Sequence, residues 1–177
     1  HSGEFRLTGN QNLIIANVSG ENRTPIEKIL SEHNVNLPDQ YSGLRLNSIA
    51  CVALNTCGLA FAEAERYLPT LLDKMDAILD RHDLKKEAIT IRMTGCPNGC
   101  ARPYNAEIAF VGRAKGFYNL YLGGGFTGQR LNSPYKEMVD EKQILDILTP
   151  ILSDFANEKE PGEHFGDFVL RKGIVNE

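Results

Sequence analysis

Cysteine is scarce in this chain, with four among 177 residues, and neither sign of charge prevails: 19 Lys and Arg stand against 23 Asp and Glu, a formal charge of −4. The two signs are interspersed rather than blocked, which argues against a general nucleic-acid binder. No apolar run approaches the roughly 20 residues that span a bilayer, and no secretory pattern opens the chain, so the expectation is a cytoplasmic protein with no membrane partner. Repeats and low-complexity tracts are lacking too. The chain is long enough for one ordinary domain or two small ones and can bury a core without covalent staples. In a reducing compartment its cysteines are ligands, reactive thiols or small buried fillers rather than a disulfide framework. The first residue is His rather than Met, and HSGEFRLTGNQNLIIANV reads as strand from its opening, so the chain is expected to be a piece of something longer.

What is present reads as an α+β pattern, with strands and helices that do not strictly alternate. EFRLT (4–8) and LIIANV (13–18), separated by GNQN, read as two strands or as one strand bent at Gly9. Thr24 as N-cap and Pro25 at the first helical position predict a helix carrying Ile26, Ile29 and Leu30 on one face. Residues 34–48 are turn-rich and mark a boundary, which divides the chain into 1–40 and 41–177. From Leu59 to His82 apolar residues recur at helical spacing, with a kink expected at Pro69 or two helices meeting there. AITIRM (88–93), EIAFVG (107–112) and FYNLYLGG (117–124) predict strands whose short connections suggest antiparallel neighbours, with a non-hairpin connection as the alternative. Asp140 and Gln143 have capping-box spacing ahead of a stripe from Ile144 to Phe155, with a bend expected at Pro150. FVLRKGIV, near the end, reads as a further strand.

All four cysteines form two pairs: Cys51 and Cys57 in CVALNTC, Cys96 and Cys100 in CPNGC. A four-thiolate site could hold zinc or an iron–sulfur cluster, and the bland alternative is two core cysteines plus a surface turn. Zinc sites generally use tighter pairs, because their sulfurs converge on one small ion. A cubane cluster offers four separate iron corners, so wider and unequal spacings suit it. A helix starting near Leu59 would place positive dipole charge beside Cys57. Gly95, Pro97 and Gly99 allow close backbone approach and fix the turn around the second pair.

At these residues the chain resembles the sulfite and nitrite reductase family, which carries siroheme coupled to a [4Fe-4S] cluster. ACVALNTCGLAFAEAERYLP and MTGCPNGCARPYNAEIAFVG are similar to its two cluster segments, GEFRLTGNQNLIIANV to a preceding sheet segment, and PGEHFGDFVLRKGIV to its C-terminal tail. The resemblance implies an α+β cluster domain with a mixed, mainly antiparallel sheet and packed helices, preceded by the end of a ferredoxin-like half-domain. It implies that Cys51, Cys57, Cys96 and Cys100 ligate the cluster and that Cys100 also bridges to the siroheme iron. Asn98 is a candidate macrocycle contact, or else a turn residue bonding its own backbone. Gln11 and Asn12 either face the cofactor or cap a bend. Arg102 and Arg113 either neutralise cofactor carboxylates or serve the surface.

The family's six-electron reduction of sulfite to sulfide implies further partners: an N-terminal half bearing the substrate-binding cations, and an NADPH-dependent flavoprotein or ferredoxin as donor. This piece alone is expected to be inactive. Gly99 and the ARP that follows favour the sulfite branch over a ferredoxin-dependent nitrite reductase. A non-enzymatic electron-transfer or metal-binding module would need only the cysteines. The histidines do not read as ligands. Gly123 to Gly125 lack a phosphate-loop pattern and are expected to let backbone pass close to other elements.

Overall fold

The computed structural model describes residues 3–176, so His1, the opening Ser2 of the predicted first strand, and Glu177 lie outside it. The chain divides into two compact units between Ser42 and Gly43. In the first, β1 (Glu4–Leu7) and β2 (Leu13–Ala16) pair antiparallel with Glu4 opposite Ala16. Their turn is closed by the Thr8 N–H on the Asn12 carbonyl at 2.9 Å and by the Asn12 N–H on Thr8 Oγ1 at 3.0 Å. Helix α1 (Gly20–Glu32) begins earlier than the Thr24 signal predicts. Ser19 is its N-cap residue, its carbonyl taking the Asn22 N–H at 3.0 Å and its Oγ taking Asn22 Nδ2 at 2.9 Å, so Pro25 lies inside the helix.

The second unit holds the core. After the short helix α2 (Gly43–Leu46) come β3 (Ser48–Ala50), α3 (Leu68–Arg81), β4 (Ile91–Thr94), β5 (Ile108–Ala114), β6 (Phe117–Leu122), β7 (Ser133–Val139), α4 (Glu141–Glu158) and α5 (Phe165–Arg171). The sheet order is β3-β4-β5-β6-β7. Strands β3, β4 and β5 run parallel, with Ala50 opposite Met93 and Met93 opposite Phe110; β5, β6 and β7 run antiparallel. The expectation of antiparallel neighbours therefore fails between β4 and β5. Parallel strands need a crossover of about a dozen residues, and residues 95–107, the segment with the second cysteine pair, supply it.

Helix α3 starts at Leu68, not near Leu59, which leaves 51–67 as an irregular loop. Pro69 sits in the first turn, where its missing N–H has no intrahelical partner to lose, and so needs no kink. One face of α3, with Leu71, Leu72, Met75 and Leu79, is buried. Helix α4 opens on the capping box the sequence predicts: the Gln143 N–H donates to Asp140 Oδ1 at 2.9 Å and the Asp140 N–H to Gln143 Oε1 at 3.0 Å. Leu148, Leu152 and Phe155 carry its buried stripe, each such side chain contributing about 1.5–3 kcal/mol of burial. The FVLRKGIV strand is absent: α5 occupies that stretch, with Phe165 and Phe168 edge-on to Phe155 at 5.5 and 5.2 Å. Among the described residues no helix is long and apolar enough to cross a membrane.

Candidate metal centre

Cys51 directly follows β3, and Cys96 stands two residues beyond β4. Because these strands are parallel neighbours, both cysteine segments leave the sheet at the same edge, the carboxyl ends of the strands, where α/β sheets generally place ligands. The Cys51 N–H continues the ladder onto the Met93 carbonyl at 3.1 Å, and Cys51 Sγ accepts the Gly95 N–H at 3.2 Å. The far arm of the first loop returns to the same point, with the N–H groups of Phe61 and Ala62 both on the Gly95 carbonyl at 2.8 and 3.1 Å.

Gly95 is the contact between the two loops, and a side chain there has no room. A Cβ would lie 2.6 Å from Ala53 Cβ and 2.7 Å from the Ala62 carbonyl oxygen, and one on Gly112 of β5 would lie 2.4 Å from the Gly95 oxygen. Gly99 serves differently: its φ of +70° lets the second turn reverse, and the Arg102 N–H closes onto the Gly99 carbonyl at 2.7 Å.

The first loop is held in a costly shape. Ala53, fully buried, has φ of +48°, a left-handed conformation costing a non-glycine residue about 1–2 kcal/mol. Its carbonyl takes the Cys57 N–H at 2.7 Å. Arg66 laces the loop from outside, donating to the Leu54 carbonyl at 2.5 Å and to Thr56 Oγ1 at 3.1 Å. The helix expected beside Cys57 does not start until Leu68, so its dipole does not act on that sulfur.

Thr94, fully buried, carries no sequence signal beyond its place just before Gly95 and Cys96. Its Oγ1 lies 3.5 Å from Cys51 Sγ and donates to the Cys96 carbonyl at 3.2 Å. With that proton committed, the oxygen accepts from the Cys51 thiol. Once the sulfur is a thiolate, the same hydroxyl can turn and donate to it, adding to the Gly95 N–H.

Accessibility grades across the cysteines: Cys96 is buried, Cys51 and Cys57 half-buried and Cys100 exposed. Asn98 is exposed at the tip of the same turn. Arg102 lies within the turn system, its carbonyl accepting from Arg92 Nη1 at 2.9 Å, while Arg113 is exposed on β5. Burial, and then the Arg102 charge, lower the Arg92 pKa from its ordinary value. Gln11 and Asn12 lie in the β1–β2 turn, and His33, His82 and His164 flank helix ends. Gly124 of the glycine run passes against the Ala106 carbonyl, where a Cβ would be 2.2 Å from the oxygen.

Among the described residues no group of three or more His, Cys, Asp or Glu side chains is placed to hold a single metal ion. A cubane cluster asks for a wider set, with one thiolate on each of four iron corners, and the donor chemistry here fits that group: four thiols on two loops joined at Gly95, whose N–H donates to the Cys51 sulfur.

Fold and loops together define an α+β domain that presents thiols at the carboxyl ends of parallel strands. The chain belongs to the nitrite and sulphite reductase 4Fe-4S domain family, which matches residues 43–176; the nitrite/sulfite reductase ferredoxin-like half domain matches residues 1–33. It is 59% identical over 177 residues to the sulfite reductase (NADPH) hemoprotein beta-component of Staphylococcus saprophyticus, and 60% identical over 177 residues to that of Oceanobacillus iheyensis. All of this chain is covered in both matches, but it spans only 31% of the length of those relatives. Among solved structures, the Mycobacterium tuberculosis NirA protein shares the fold, with a TM-score of 0.78 at 24% identity over 94% of this chain and 32% of that one.

Proposed function

We propose that this chain is the cluster-ligating C-terminal part of a sulfite reductase hemoprotein, with residues 1–40 the end of a ferredoxin-like half-domain and 41–177 the siroheme and [4Fe-4S] domain. The observation that carries the reading is the junction at Gly95, whose N–H meets Cys51 Sγ and whose carbonyl anchors the return of the loop bearing Cys57. It sits in a chain about 60% identical to hemoprotein beta-components across its whole length.

In this reading Cys51, Cys57, Cys96 and Cys100 would hold the cluster, and the exposed Cys100 and Asn98 of the second turn would face the siroheme. When bound, the coupled cofactors supply electrons one at a time for the six-electron reduction of sulfite to sulfide. The protein's own contribution is to position and stabilise the thiolates: Thr94 and the Gly95 N–H hold charge on Cys51, and burial keeps water from Cys96. The N-terminal part of the longer protein supplies cations for sulfite, and an NADPH-dependent flavoprotein or ferredoxin supplies electrons. The working compartment is the cytoplasm, and these 177 residues alone do not turn over sulfite.

The test is metal and sulfide quantitation with an optical spectrum on the intact protein and on its Cys96→Ser variant. About five irons, four from the cluster and one from siroheme, and about four acid-labile sulfides per chain are expected in the first, with cluster iron and sulfide lost in the second. Zinc without sulfide, or a variant that keeps its full complement, overturns the assignment.

A further inference from the structure

We infer that Asn132 is a positioning residue for the second cysteine turn, acting on Cys96 and Cys100 through the segment that follows them; this rests on the cluster reading above. After Cys100 the chain descends through successive turns: Arg102 N–H to the Gly99 carbonyl at 2.7 Å, Asn105 N–H to the Arg102 carbonyl at 3.3 Å, and Ala106 N–H to the Pro103 carbonyl at 3.1 Å. The last of these belong to a 3-10 turn over Pro103–Asn105. No sheet ladder fixes this segment, so its position depends on what grips it from outside.

Asn132 grips it at three points. Its Nδ2 donates to the Pro103 carbonyl and to the Ala106 carbonyl, each at 2.8 Å, and its backbone N–H donates to the Tyr104 carbonyl at 2.9 Å. The side chain is only 9% exposed, so both carbonyls it serves would be left without that donor in a place water barely reaches. Asn132 is itself well located: Ser133, the next residue, opens β7 opposite Leu122 of β6. The sheet thus sets Asn132, Asn132 sets the 3-10 turn, and the turn sets the cysteines that precede it. Gly124 closes the arrangement from the other side, leaving no room beside the Ala106 oxygen for the segment to drift.

Asn132→Ala removes two donors while the backbone contact stays; Asn132→Ser retains one. The experiment uses the intact, cofactor-loaded protein and compares wild type, Asn132→Ala and Asn132→Ser in three readouts: iron and sulfide per chain, the electron paramagnetic resonance line shape and midpoint potential of the reduced cluster, and the rate of cluster loss to a chelator. At full loading, Asn132→Ala is expected to change line shape and potential and to lose its cluster about tenfold faster, with Asn132→Ser between the two. Should Asn132→Ala not fold, Asn132→Ser against wild type carries the same comparison. Variants that unfold more easily yet match wild type in line shape, potential and loss rate make Asn132 merely structural and overturn the inference alone. Wild type without iron and sulfide removes the cluster reading, and this inference with it.

Discussion

Tyr118 donates its hydroxyl to the Glu63 carbonyl at 2.8 Å, so a side chain of β6 holds the return arm of the first cysteine loop. Its ring stacks on Tyr67 with centroids 5.7 Å apart, and burial, followed by the nearby Glu63 charge, pushes the Tyr118 hydroxyl pKa above its ordinary value of 10.0. It therefore remains a proton donor throughout the neutral range. Tyr118→Phe keeps the stack and deletes the bond. The expected loss is about 1 kcal/mol in denaturant unfolding. An unchanged midpoint would mean that the carbonyl finds another partner.

Gly95→Ala is expected to be worse than its size implies. The added methyl meets Ala53 and the Ala62 backbone together, and relief requires the two cysteine loops to separate. Overpacking of this kind costs about 1–3 kcal/mol, and iron content should fall along with stability. An alanine variant that is stable and fully loaded would show the junction to be looser than its geometry.

Glu107 makes stability depend on pH in an unusual direction. Its carboxylate is fully buried and accepts from the Thr90 N–H at 2.7 Å, Thr90 Oγ1 at 3.1 Å and the Gly166 N–H at 2.8 Å. Burial outweighs these bonds and the nearby His164 charge and raises its pKa above the ordinary 4.5. The folded state therefore binds this proton more tightly than the unfolded chain. Its contribution is fully present below 4.5 and is lost as pH rises through the raised value. Glu163 beside Arg171 slopes the opposite way, so the quantity to measure is wild type minus Glu107→Gln across that window. A difference that stays flat with pH contradicts the assignment.

Much of this was legible in the sequence where the signal is local. Asp140 and Gln143 announce α4 because both partners of the capping box lie within one turn. The cysteine pairs announce themselves by residue type and spacing. Legibility ends where a distant partner decides. Leu59 and Phe61 continue a helical pattern into what is loop, because Ala62 and Gly95 bond across the sheet instead of along the chain. Phe168 to Val175 is rich enough in apolar and β-branched residues to suggest a strand, yet Glu107, some sixty residues away, accepts the Gly166 N–H in the first turn of α5. Strand β7 escaped notice because Tyr135 to Met138 are exposed and its pairing to β6 slips in register. Asn132 had no signal at all: one asparagine in a loop says nothing of the carbonyls it will meet.

Asp140→Ala isolates one local signal. It removes the acceptor of the Gln143 N–H, and the expected cost is about 1 kcal/mol of unfolding free energy, read by thermal or urea denaturation. A variant as stable as wild type would mean that packing of the Leu148, Leu152 and Phe155 stripe starts the helix unaided.

The pairing of β3 with β4 has a consequence for how such a protein is loaded. During synthesis Cys51 and Cys57 leave the ribosome well before Cys96 and Cys100, and their segments share one edge of the sheet only after β3 and β4 align. Premature delivery of iron would find a pair of lone thiols, a setting for mismetallation or oxidation. In the proposed reading, a site with all four thiols exists only once these strands have paired.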